Sequence, residues 1–141
     1  MDREVHYEFT KRWATEEGFS AEDAERVAAA DWAVDSVYNV HANWHNKGYH
    51  FAWLGAYRRA RRLYEQAAKD RDLVTLGVAL HCLQDGIAHG NLGHVYHWDG
   101  IDRWAERSQR VRDRIEWRSR DLLAGYLAAK RLKADVPHAE W

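Results

Sequence analysis

The chain has one cysteine and one proline in 141 residues. A single cysteine excludes a disulfide within the chain. Proline occurs only at Pro137, so helix can propagate almost everywhere before it. No apolar run approaches the roughly 20 residues of a membrane span, which predicts no such span. Charge of one sign is also missing. Lys and Arg number 21 against 22 Asp and Glu, a formal net charge of -1. Nucleic acid held by backbone neutralisation alone is therefore excluded, and any phosphate binding has to come from a site. The start of the chain, Met1-Asp2-Arg3-Glu4-Val5-His6, has no apolar h-region and no cleavage site, so the expectation is a cytoplasmic protein.

What is present points to helix. Ala, Arg, Glu and Leu are frequent, and the length suits one domain, residues 1–141, with a core that needs no staples. The expected fold is all-α, a compact bundle of about five helices. The first helix is predicted from Arg3 to Glu17, ending at Gly18 as C′ residue. Ser20 then caps a second helix that has an acidic first turn and reaches about Tyr38. Asn39 to Tyr49 reads as a loop. A third helix, Phe51 to Lys69, has a basic outer face at Arg58, Arg59, Arg61 and Arg62, and a fourth starts at Asp70 or Asp72 and ends at Gly90. After a loop from Asn91 to Gly100, the last helix is expected from Ile101 past Leu132, with Asp99 as its N-cap. Its arginines, Arg107 among them, read as a solvated face, with phosphate binding as the alternative.

The most informative run is His81-Cys82-Leu83-Gln84-Asp85-Gly86-Ile87-Ala88-His89. Side chains at i, i+4 and i+8 share one helix face, so His81, Asp85 and His89 project together as a metal-binding ladder, while Cys82 points about a quarter-turn away. Imidazole and carboxylate are what a zinc-like cation takes when no thiolate is offered. A hydrogen-bonded surface pair is the competing reading of His81 and Asp85. The rest of the chain favours metal, because eight of the nine histidines fall before residue 98, in clusters. His6, Asp31, Asp35 and His50 add ligand types on the other helices, as in metal sites built inside bundles. Asp35, among Trp32, Ala33, Val34 and Val37, would be expensive to bury unpaired.

The run Leu76 to His89 resembles the signature helix of the zinc-dependent phospholipase C superfamily, which also contains fungal single-strand nucleases. It is most similar to a short bacterial branch that reads His-x-x-x-Asp-x-x-x-His-Gly. His6-Tyr7, the Gly18-Phe19-Ser20 turn, Val34-Asp35 and His50-Phe51 extend the likeness over roughly residues 5 to 104. The resemblance implies a cluster of divalent metals, usually zinc, between helices. Asp35, His50, His81 and Asp85 would surround one metal. Asp85 would bridge to a second that His6 helps to hold, and His89 would begin a further site. Secreted members use their free N-terminal residue as a ligand, whereas Met1 here stands ahead of His6. They also complete the further site with a His-x-x-x-Glu pair that is missing after His94 and His97. His94 and Asp102 are the expected substitutes, with His97 and Asp99 behind them.

Two metals close together would lower the pKa of a bridging water and clamp the oxygens of a phosphodiester. The expected function is thus a metal-dependent hydrolase of phosphate esters, with Asp85 bridging and Asp31 serving as general base or orienting a ligating imidazole. Eight tryptophans are many for this length, and Trp13, Trp32, Trp44, Trp53 and Trp98 flank the candidate ligands; they are read mainly as core, with stacking on substrate as the alternative. Two other readings stay open. One is a metal-dependent tailoring enzyme acting on a small metabolite, and the other is a non-catalytic binding protein that one metal stabilises.

Overall fold

A computed structural model describes residues 2–36, 55–90 and 101–135. The chain enters through a π-helical segment, Glu4–Phe9, that continues into α1 (Thr10–Glu17). It goes on through α2 (Ala21–Ser36), α3 (Ala56–Asp70) and α4 (Leu73–His89). A short 3₁₀ turn, Trp104–Glu106, precedes the long α5 (Gln109–Asp135). Among the described residues there is no strand, and the fold is an all-α bundle of five helices. None of these helices is long and apolar enough to cross a membrane.

Local chemistry sets the helix ends. Gly18 takes φ 107° after α1, which lets the Phe19 N–H reach back to the Ala14 carbonyl at 3.0 Å. Ser20 Oγ accepts the Asp23 N–H at 3.1 Å and opens α2. Asp72 opens α4, accepting the Val74 N–H at 2.9 Å and the Thr75 hydroxyl at 2.5 Å.

Three expected boundaries shift. The first helix is not α-helical throughout, because its opening turns over Glu4–Phe9 are π. The third cannot run unbroken from Phe51, since Gly55 at φ 101° is left-handed and α3 starts after it; residues 51–54 lie outside the described residues, as do 37–50. The last helix begins at Gln109, not Ile101, behind Ser108, whose carbonyl accepts the Val111 and Arg112 N–H groups at 3.0 and 3.1 Å. Asp99 lies outside the described residues. Tertiary contacts override helix propensity in this stretch. Arg107 donates to the Ala88 carbonyl at the end of α4 at 2.7 Å, so it belongs to the packing and not to a solvated face. Trp104 packs edge-on to Phe9, with ring centroids 5.0 Å apart, and tilts against Trp13.

Helix α4 runs through the middle of the bundle, against α2, α3 and α5. Every residue from Ala79 to His89 is buried, as expected for a helix enclosed on all sides. Against α2 the packing is tight. A Cβ built on Gly77 would lie 2.5 Å from the Val27 carbonyl oxygen and 2.8 Å from the Asp31 nitrogen. That crossing brings the last two turns of α2 alongside the polar stretch of α4.

Candidate metal centre

The site begins with the α4 ladder. His81 and Asp85, four residues apart, turn toward α2, and His89 follows one turn on toward Asp102. Helix α2 contributes Asp31 and Asp35. The third wall is the π segment, whose wide turn leaves Val5, His6 and Thr10 all buried. The Thr10 hydroxyl reaches the Val5 carbonyl five residues back at 3.1 Å. A π turn of this kind inside a helix often marks a functional position.

The two imidazoles from different elements stack, with centroids 4.2 Å apart and planes inclined by 25°. Both point Nδ1 the same way. His6 Nδ1 lies 2.8 Å from Asp31 Oδ1 and 2.8 Å from Gln84 Oε1, while His81 Nδ1 lies 3.1 Å from the Asp31 carbonyl oxygen. With Nδ1 held by the protein, both Nε2 atoms turn to the opposite side, as ligating histidines do.

There they meet carboxylates. His6 Nε2 is 3.2 Å from Asp85 Oδ1 and 3.7 Å from Asp35 Oδ2. His81 Nε2 is 3.6 Å from Asp35 Oδ1 and 3.5 Å from Asp85 Oδ2. On the far side of Asp85, His89 Nε2 is 3.7 Å from Asp85 Oδ2 and 3.2 Å from Asp102 Oδ1. Most of these separations are long for hydrogen bonds. They match the edge, roughly 3.3 Å, of a tetrahedron whose bonds are about 2.0–2.1 Å, the lengths zinc makes to nitrogen and carboxylate oxygen. His6, His81 and Asp85 each offer a ligand atom within 4.8 Å of the others, and all three are buried. The residues present therefore fit a divalent cation.

Electrostatics agree with the geometry. Burial opposes a charge on His6, but the Asp31 and Asp85 carboxylates outweigh it and lift the imidazole to about 10. Burial and the neighbouring His6 push His81 the other way, downward. The stack thus favours the proton on His6 over His81. Burial also works against ionised Asp85, yet the positive charge around it, the imidazoles of His81, His89 and His6 included, holds its carboxyl well below the usual range. Asp102 is held low as well, against burial, chiefly by its hydrogen bond to His89. Metal binds ionised carboxylates and deprotonated imidazole nitrogens, so a cation would replace the proton on His6.

Asp31 is fully buried. Its Oδ1 faces His6, and its Oδ2 accepts the Thr10 hydroxyl at 2.8 Å. Both oxygens are buried away from solvent, which supports the orienting role and not that of general base. Asp35 is less enclosed than its apolar neighbours suggest, with 26% of its side chain exposed. His50, His94, His97 and Asp99 lie outside the described residues, with Trp44, Trp53 and Trp98. Trp13 is core and Trp32 half-buried. Burial pushes the Cys82 thiol far up, and Cys82 is not among the ligand atoms that gather at the site.

Sequence reading missed Gln84, Thr10 and Ser119. Gln84 Nε2 donates to Thr10 Oγ1 at 2.9 Å and to Ser119 Oγ at 3.3 Å, which ties α5 and α1 to the orientation of His6. The signal was there, because an amide in so apolar a helix has to find partners when buried. In comparisons with known proteins, no family model, no curated protein and no solved structure matches the chain.

Proposed function

We propose that the chain is a metal-dependent hydrolase that cleaves a phosphate ester with activated water, as members of the superfamily it resembles do. One observation carries the reading. The two oxygens of a single buried carboxylate divide between different imidazoles, Asp85 Oδ1 toward His6 and Oδ2 toward His81 and His89. A carboxylate so placed can serve two neighbouring cation positions. His6, His81, Asp35 and Asp85 would hold one divalent ion, zinc by resemblance, and Asp85, His89 and Asp102 a second. Such ions supply Lewis acidity, which lowers the pKa of water toward neutrality and steadies phosphate oxygens during in-line attack.

The protein's own part is orientation and access. Asp31 and Gln84 fix His6, and the Asp31 carbonyl fixes His81. Asp35 and Asp102 lie on the open side, with 26% and 34% of their side chains exposed, so a substrate oxygen can approach there. The full enclosure of His6 and His81 favours a second reading, a closed metal that only ties the helices together. The exposure of Asp35 and Asp102 weighs against it.

The test is turnover by metal-loaded protein of bis-nitrophenyl phosphate, nitrophenyl phosphorylcholine and single-stranded oligonucleotides. Activity on at least one is expected, falling on the order of a hundredfold or more in Asp35→Asn and Asp85→Asn. Turnover that survives both substitutions, or none on any substrate, overturns the proposal.

A further inference from the structure

On the side of α4 away from the metal centre, a groove of about 360 Å³ opens between α3 and α5. Leu83 and Ile87 of α4 form its floor, one helical turn apart, with Leu122 of α5 beside them. Leu83 and Ile87 stand half a turn around the helix from Asp85, so the groove and the metal centre share no lining residue. Tyr57 and Tyr64 of α3 make one wall and, seven residues apart, set a length of about 10 Å. The Tyr57 hydroxyl is already committed, donating to the Gly86 carbonyl at 3.0 Å.

The rim is cationic. Arg61 stands on the α3 side, with Arg114 and Arg118 on the α5 side. Arg61 pairs with Glu65 through Nε at 2.9 Å. Arg114 and Arg118 make no ion pair among the described residues, and Arg118 lies over the exposed Trp117 ring, 5.4 Å from its centroid. Arg114 and Arg118, one turn apart on α5, thus bring two cations without a carboxylate partner among the described residues to the edge of an apolar slot, which favours an anion there. A carboxylate is satisfied by one guanidinium fork, whereas a phosphate offers oxygens to several. The volume falls within the range of small-ligand pockets.

We infer that this groove binds a phosphate-headed amphiphile, its alkyl chain along Leu83, Ile87 and Leu122 and its phosphate among Arg61, Arg114 and Arg118. The site is independent of the metal centre and of the hydrolase reading.

Calorimetric titration of the intact protein with octyl phosphate tests it, beside octanoate, inorganic phosphate and octanol. Octyl phosphate should bind tightest, and Arg114→Ala and Arg118→Ala, which remove exposed side chains, should each weaken it about tenfold. Leu122→Ala should weaken octyl phosphate while leaving inorganic phosphate unchanged. With metal removed by chelation, octyl phosphate should still bind and both arginine substitutions should still weaken it, which separates this groove from the metal centre. Octyl phosphate binding no tighter than inorganic phosphate or octanol, affinity indifferent to both arginine substitutions, or binding abolished by metal removal overturns the inference.

Discussion

Two imidazoles depend on Asp31, its side chain holding His6 Nδ1 and its carbonyl holding His81 Nδ1. In Asp31→Asn the carbonyl stays, but the amide offers one acceptor where the carboxylate offers two. Either the His6 N–H or the Thr10 hydroxyl then faces an NH₂ group. Substitutions that disturb the partner of a ligating histidine weaken metal binding by about 10- to 100-fold. Competition against a chromophoric chelator should show zinc affinity reduced by that factor in Asp31→Asn. Equal affinity in the two proteins would mean that Asp31 fills space without orienting the site. The identity of the ladder residues was readable at this scale, since His81, Asp85 and His89 share one face at a fixed period. The work of Asp31 was not readable, because both its partners, His6 and Thr10, lie across the bundle, at least 21 positions away along the chain.

At the scale of elements, Gly77 sets how close α2 comes to α4. A methyl there would meet the Val27 carbonyl at 2.5 Å and the Ala30 Cβ at 2.6 Å, atoms fixed by helix α2. Gly77→Ala should therefore separate the helices and cost about 2–3 kcal/mol in thermal or denaturant unfolding. It should also lower zinc affinity, because Asp31 and Asp35 ride on the displaced helix; full stability would show that the crossing has slack. Asp72 makes a pH-dependent contribution at the other end of α4. The Thr75 hydroxyl foremost, and the Val74 N–H with it, hold its carboxyl below the usual value against a smaller effect of burial. A lowered carboxyl stabilises the fold above its unfolded pKa of about 3.9, and that stability is lost as pH falls through the folded value. Asp72→Asn, which keeps a capping oxygen but not the charge, should thus be less stable than wild type near neutral pH and show less acid destabilisation below about pH 4. Parallel losses at both pH values would deny the linkage. Caps such as Asp72 and Ser20 were legible because a side chain and a nearby N–H suffice to make them. The π turn at His6 and the delayed start of α5 were not, because each answers to a distant contact, Gln84 with Asp31 in one case and the Ala88 carbonyl in the other.

For the whole molecule, the candidate centre joins parts of the chain far apart in sequence: His6 in the π segment, Asp31 and Asp35 in α2, the ladder in α4, and Asp102 ahead of α5. Without a cation, Asp31 and Asp85 are buried carboxylates that the imidazoles facing them have to balance. The bundle also has a continuous apolar core running from Val5 and Trp13 through Leu76, Leu80 and Ile115 to Leu123. A chain of this size with such a core need not unfold when metal is removed, unlike a small metal-dependent domain. Chelated protein should accordingly keep its helical circular dichroism at 25 °C and melt at a lower temperature. A ligand that binds only the folded state at a hundredfold excess over its Kd adds about 2.7 kcal/mol, or about 8 °C for a domain of this length. Zinc should restore the shift in wild type and fail to do so in Asp85→Ala, in which both proposed cation positions lose the carboxylate they would share. An unchanged melt after metal removal verified by elemental analysis would show that the buried carboxylates are balanced by the histidines alone.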